Sequence, residues 1–180
     1  RIPDEELAKA YAQRKDSLKS EEQRRVKFVR FDLSDADQKL ADKERIEALQ
    51  KLANRANDFA VAMTNAGADF DKTAAQVGVK VEETGDFAVS HPDSAIAAEP
   101  KLLAAVFNLK SSQPSSDPIS TTNGFTILRL VDVVPSSPLT FEQAKPQLAA
   151  VLTREHAQQQ ITAQAADVRQ KIEASLTAKK

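Results

Sequence analysis

Hydrophobic and polar positions change their period several times along the chain, and each change marks an element. Pro3 suits a first helical position, and Asp4, Glu5 and Glu6 sit where the helix dipole favours acids; Leu7, Tyr11 and Leu18 follow at helical spacing. This predicts an opening helix of about four turns. From Arg24 to Leu33, Val26, Phe28 and Arg30 alternate with Lys27, Val29 and Phe31, so the segment reads as a strand with apolar residues on both faces, a central one. Between Ser34 and Ala66 the period lengthens. Leu49, Leu52, Ala53, Ala56, Phe59, Ala60 and Met63 fall at alternating steps of three and four, which predicts a long helix. Gly67 ends it, Asp69 caps a short helix carrying Phe70, Ala74 and Val77, and Gly78 closes that one.

Further on, Lys80 to Glu83 reads as a short strand, Ser90 to Glu99 as a loop, and Pro100 as the start of a two-turn helix with Leu102, Leu103, Val106 and Phe107 to bury. Ser111 to Asp117 is polar, with Pro114 as a breaker. Pro118 to Thr121 and Phe125 to Val134 then form a hairpin through Thr122-Asn123-Gly124, where Asn-Gly is expected to supply the positive φ of a tight turn. After the linker Pro135-Ser136-Ser137-Pro138, Thr140 and Gln143 form a capping box, and Pro146 predicts a kink or a fresh helix start. Leu148, Leu152, Ile161, Ala165, Val168, Ile172 and Leu176 make a stripe ending near Lys179 and Lys180. A helix of about eight turns needs a partner to cover that stripe: the opening helix, a second copy of the chain, or another part of a longer parent.

Composition narrows the function. At 180 residues the chain holds one medium domain, or a small domain with helical extensions. Lys plus Arg (25) nearly balances Asp plus Glu (26), and with one Tyr and no Trp there is little to attract or stack on nucleic acid. Cysteine is absent, which removes disulfides, thiol chemistry and the commonest zinc sites. No apolar run approaches the roughly 20 residues that cross a bilayer. The chain opens at Arg1 without Met or a signal-peptide pattern, as expected of a processed piece of a longer protein. No internal repeat is visible.

Catalytic candidates are few. Glu82-Glu83 and Asp35 with Asp37 pair carboxylates but accompany no positioned nucleophile, so hydrolysis has no support. His91 and His156 have no second ligand at metal spacing, and the isolated glycines form no phosphate loop, so neither metal nor cofactor is expected.

One ordered set of motifs carries more. Gly67-Ala68-Asp69-Phe70 with Ala74, Thr84-Gly85-Asp86-Phe87, Ala104-Ala105-Val106-Phe107-Asn108-Leu109, and Ser116-Asp117-Pro118-Ile119 running into Asn123-Gly124-Phe125-Thr126-Ile127-Leu128-Arg129-Leu130 stand in the order of a parvulin. The chain thus resembles the parvulin, or PpiC-type, peptidyl-prolyl isomerase (rotamase) family. Its flanks, Pro3 to Tyr11 with Glu22-Gln23-Arg24-Arg25-Val26 and Leu139-Thr140-Phe141-Glu142, are similar to those of SurA- and PpiD-type bacterial periplasmic folding factors. The resemblance implies an α+β fold, an antiparallel four-stranded sheet wrapped by helices over residues 24–134, with residues 1–23 and 135–180 as helices of a chaperone lobe. It implies clients that are unfolded exported polypeptides, and a location in the bacterial periplasm with any inner-membrane tether outside this chain.

The departures matter as much. The family's two histidine positions fall on Phe28 and Thr126, and the acidic or thiol residue expected before the Gly-Asp motif is missing from Gln76-Val77-Gly78-Val79. No catalytic residue is therefore assigned. By the same resemblance, Phe28, Phe87, Ile96, Leu102 and Thr126 are expected to contact peptide, with ordinary core as the competing reading for Phe87 and Leu102. The expected function is binding of non-native polypeptide by a domain with little isomerase activity; an active isomerase and a dimerisation module joined through the terminal helices are the alternatives.

Overall fold

The computed structural model describes residues 2–178, so the expected end of the last helix at Lys179 and Lys180 lies outside the described residues. In chain order the elements are helix α1 (Asp4–Arg14), strand β1 (Gln23–Asp32), a 3-10 turn at Asp37–Lys39, and helices α2 (Asp42–Ala62) and α3 (Phe70–Val77). Strand β2 (Val81–Glu83), helices α4 (Ser94–Ala97) and α5 (Pro100–Asn108), strands β3 (Ile119–Ser120) and β4 (Gly124–Val134), and helix α6 (Phe141–Thr177) complete it. Two compact units result, Glu21–Ser136 and the pair of flanks Arg1–Ser20 with Ser137–Lys180.

The Glu21–Ser136 unit is an α+β fold built on an antiparallel sheet in the order β2-β1-β4-β3. The central pair sets Phe28 opposite Leu128, Val29 opposite Ile127 and Phe31 opposite Phe125. Because side chains alternate across a strand, this register sends two apolar sets to opposite faces. Val29, Phe31 and Ile127 meet Ala56, Phe59 and Met63 from α2 and its end, with Phe70 and Ala74 of α3. Phe31, Phe59 and Phe70 stack edge to face at 5.9 and 5.2 Å. Val26, Phe28 and Leu128 face the other way, toward α4 and α5. Helices on both faces explain why the two central strands are apolar on both sides.

Several local expectations find direct geometry. Asp69 accepts a hydrogen bond from the Lys72 amide at 3.0 Å, and Gly78 closes α3 with φ 73°. Thr140 and Gln143 form the capping box of α6. Other expectations need correction. The segment from Ser90 to Glu99 is not all loop: Asp93 accepts from the Ala95 amide at 3.0 Å and starts the single turn of α4, which buries Ile96 completely. Helix α1 is 11 residues long, about three turns, and Leu18 is buried beyond its end. Pro146 does not start a fresh helix: it lies in the second turn of α6, which runs from Phe141 to Thr177.

The hairpin between β3 and β4 forms, but not through a positive-φ turn, since among the described residues only Gly67 and Gly78 have positive φ. Thr122 and Asn123 carry the chain round, closed by the Thr121 amide donating to the Gly124 carbonyl at 2.9 Å, and the Leu33 amide donates to the Asn123 carbonyl at 2.8 Å. Gly124 is required for a different reason: a Cβ there would lie 2.0 Å from the Phe31 carbonyl oxygen.

The flank unit has its own small core of Leu7, Ala10, Leu18, Ala144, Leu148 and Leu152. Tyr11 stacks on Phe141 at 5.6 Å and donates its hydroxyl to the Leu139 carbonyl at 2.8 Å. Arg14 pairs with Glu155 at 2.8 Å, and His156 Nε2 lies 2.6 Å from Glu6. From Ala157 onward α6 is exposed, including Ile161, Val168, Ile172 and Leu176. Among the described residues no helix is long and apolar enough to cross a membrane.

Gly124→Ala forces a methyl group into the Phe31 backbone, whereas Gly85→Ala meets nothing within 4 Å. Urea denaturation is expected to show Gly124→Ala losing about 1–3 kcal/mol or more of stability, with Gly85→Ala changing it by less than about 0.5 kcal/mol.

Candidate functional site

Of the side chains expected to contact peptide, Phe28 and Thr126 stand on the sheet face turned toward α4 and α5, Ile96 and Leu102 come from those helices, and Phe87 from the segment after β2. Strand periodicity puts Val26, Phe28 and Arg30 on that face, and the register places Thr126 opposite Arg30 and Leu128 opposite Phe28. Helix α5 is held against it by Arg24. The Arg24 guanidinium donates to the Val106 and Leu109 carbonyls at 2.8 and 2.7 Å, satisfying two acceptors at the helix C-terminus. It also meets Glu22 at 2.6 Å and lies 5.3 Å from the centre of the Phe107 ring. Phe87 is fixed by paired backbone bonds with Arg24 and by an edge contact with Phe107 at 6.0 Å.

Phe28, Phe87, Ile96 and Leu102 come together in one cluster with Val26, Val106, Leu109 and Leu128. All four are buried, at no more than 5% exposure, and they fill the space between sheet and helix with one another. The Arg30 guanidinium lies 5.1 Å from the centre of the Phe28 ring and 3.7 Å from Glu82, covering the ring from the outside. Thr126 is 1% exposed.

Open space begins beside this cluster. A cleft of about 220 Å³ is bordered by Arg30, Asp32, Glu99, Leu102, Asn123 and Thr126, with Ala95, Ala98 and Thr121 completing its wall. Among the described residues the Thr126 hydroxyl has no hydrogen-bond partner, and the Asp32 carboxylate makes neither a hydrogen bond nor an ion pair. Glu99 is held in place by Thr122, whose hydroxyl and amide donate to it at 2.6 and 2.9 Å. Those two bonds keep the Glu99 carboxyl below its ordinary pKa. Asp32 is shifted the other way: burial of its carboxyl raises its pKa, and nearby Arg30 offsets part of the rise.

Of the five residues expected to contact peptide, Leu102 and Thr126 border this cleft, whereas Phe28, Phe87 and Ile96 lie in the core cluster; the charged rim was not among the expected residues. Arg30 and Asp32 were legible, since they continue the two-residue period that places Phe28. Glu99 and Asn123 are remote in sequence and reach the cleft only because α5 and the β3–β4 loop converge on it. No imidazole enters the cleft: His91 contacts Ser90 at 2.7 Å, and His156 belongs to the flank unit. Among the described residues no cluster of three metal-binding side chains occurs. The arrangement offers an unpaired hydroxyl, two carboxylates and an aliphatic wall, which suits holding a short extended segment.

A family model described as the PPIC-type PPIASE domain matches residues 2–146. No curated protein matches the chain. Among solved structures the chain is similar to one from work on the virulence factor PEB4 and the periplasmic protein Cj1289, two SurA-like chaperones of Campylobacter jejuni. That match has 17% identity and a TM-score of 0.40, covering 93% of this chain and 61% of the other.

Replacing Arg24 by Met should expose the cost of freeing the Val106 and Leu109 carbonyls, a loss of about 1.5–3 kcal/mol in chemical denaturation. Amides of α5 should lose hydrogen-exchange protection with it. Asp32 gives a signed pH effect. Its pKa is raised in the folded protein, so stability falls as pH rises from the ordinary value of 3.8 through the folded one. Asp32→Asn should therefore be more stable than wild type at neutral pH in thermal melts, with the difference closing as pH drops below 3.8.

Proposed function

Because the chain belongs to the family of PPIC-type peptidyl-prolyl isomerase domains, the parvulins, as its match over residues 2–146 establishes, we propose that it holds non-native exported polypeptides and isomerises prolyl bonds weakly or not at all. The observation that carries this reading is Phe28. It stands at a position where the resemblance expects histidine, and its ring is buried in the core with Arg30 over it. Prolyl isomerisation must cross a barrier of roughly 20 kcal/mol, and help comes from holding the proline twisted and directing hydrogen bonds at its imide. Phe28 and Thr126 supply no imidazole, and the apolar floor is occupied by the protein's own side chains. Loss of both histidine positions together removes the means of catalysis while leaving a peptide-sized cleft.

Residues 24–134 act as the parvulin-like domain in this reading, and residues 1–23 and 135–180 as helices of a chaperone lobe. Clients are held at the cleft and along the exposed Ile161, Val168, Ile172 and Leu176 stripe of α6. Contiguous exposed apolar surface generally marks an interaction site. Binding is weak and tolerant of sequence, since each buried apolar group contributes about 1.5–3 kcal/mol and ordering the client offsets much of it. The bacterial periplasm is the proposed compartment, on the strength of the flank motifs. The same stripe supports a second reading, pairing of two copies through α6, because a helix face with four large exposed aliphatics also suits self-association.

Two measurements separate these readings. On a short proline peptide the chain should be more than about tenfold slower than a parvulin with both histidines, a barrier difference of at least about 1.4 kcal/mol; comparable rates would restore the active-isomerase reading. In an aggregation assay on an unfolded outer-membrane protein, wild type should delay aggregation, and serine at all four of Ile161, Val168, Ile172 and Leu176 should weaken the delay. If wild type gives no delay and light scattering finds a dimer that those serines dissolve, pairing of copies replaces client binding.

A further inference from the structure

We infer that the cleft over Thr126 selects client segments carrying a lysine or arginine, with Thr126 engaging the segment's main chain and Asp32 and Glu99 engaging its cationic side chain. This rests on the client-binding reading above and names the segment that its site would choose.

The first observation is the Thr126 hydroxyl. Its residue is 1% exposed, it lines the cleft, and no described group bonds to it. The hydroxyl is not one of the described buried polar atoms left without a partner, so it opens onto the cleft and is free to bond an incoming group. A peptide amide or carbonyl entering the cleft supplies that bond whatever the side chain, which accounts for main-chain recognition. At about 220 Å³ the cleft is larger than a single-water site and open enough to admit part of an extended segment.

Charge is the second, independent observation. Asp32 and Glu99 border the cleft, and Arg30 is the one cation among its lining residues. Arg30 is already engaged, lying over the Phe28 ring and 3.7 Å from Glu82. Lys101 acts on Glu99 from outside the lining. The two lining carboxylates and Glu82 thus outnumber the two cations near them. Glu99 is already oriented by Thr122, and Asp32 stands without a partner while burial disfavours its charge. An incoming ammonium or guanidinium relieves that cost, and its aliphatic stem can lie along Leu102, Ala95 and Ala98. An acidic side chain would meet the same carboxylates with the opposite sign.

The test uses the whole chain and three fluorescein-labelled dodecapeptides of Gly, Ser and two Leu, identical except for two central guest residues: Lys, Ala or Glu. Affinities are read by fluorescence anisotropy. The Lys peptide should bind roughly three- to fivefold tighter than the Glu peptide at low salt, with the ratio shrinking as salt is added. Asp32→Asn, a change at an exposed position, should bring the two peptides close together. Thr126→Val should weaken all three alike, with circular dichroism confirming that it folds. Equal binding of the three peptides, or a Lys preference that survives Asp32→Asn unchanged, overturns the charge selection and leaves the client-binding reading standing. Failure of every peptide to bind overturns both.

Discussion

The hydrogen-bonded pairing of β1 with β4 is the constraint on which the Glu21–Ser136 unit depends. Ten residues of β1 run against β4, with one irregularity between Arg25 and Val26, and this register decides the destination of every side chain in both strands. A slip of one residue would exchange the faces and carry Phe28 to the side of α2. The irregularity lies at the end remote from the cleft, so the pairing from Val26 to Asp32 is regular where Phe28, Arg30 and Asp32 face α5. Gly124 closes the arrangement by letting β4 approach the Phe31 carbonyl without a Cβ between them.

The site follows from that register by subtraction. Large apolar side chains occupy the volume between sheet and helix, so what remains accessible is the rim, and the rim is charged. An aromatic at the Phe28 position does two things at once: it withdraws a titratable group and completes a core. Arg30, two residues along, then has a ring to lie on and a carboxylate beside it. The cleft offers a ligand a hydroxyl and carboxylates. On the proposed reading, this favours binding over turnover.

How much of this was legible depended on the range of the interaction concerned. The two central strands, the α2 stripe, the Asp69 cap and the Thr140–Gln143 box are local patterns, and each is present. Helix α4 was not legible because one turn is too short to display a period; the Asp93 cap was its only signal. The Asn123-Gly124 pair pointed to a hairpin for the wrong reason, since the demand on Gly124 comes from Phe31, far away in sequence. Phe28, Phe87, Ile96 and Leu102 were placed together by resemblance, but their complete burial depends on how α5 seats, which Arg24 fixes through two carbonyls no sequence pattern reveals. Glu99 enters the site by tertiary convergence alone.

The flank unit, finally, is made from the two ends of the chain, and that has a consequence in time. Leu7 and Ala10 find their covering residues Ala144, Leu148 and Leu152 only after more than a hundred further residues have been made. At ribosomal speeds of about 5–20 residues per second, this is a wait on the order of ten seconds. During it the sheet unit can complete its own core, since its two clusters are made by residues 26–130. Helix α1 meanwhile trails with its apolar face open. This chain is thus, while being synthesised, briefly in the condition of the polypeptides it is proposed to hold.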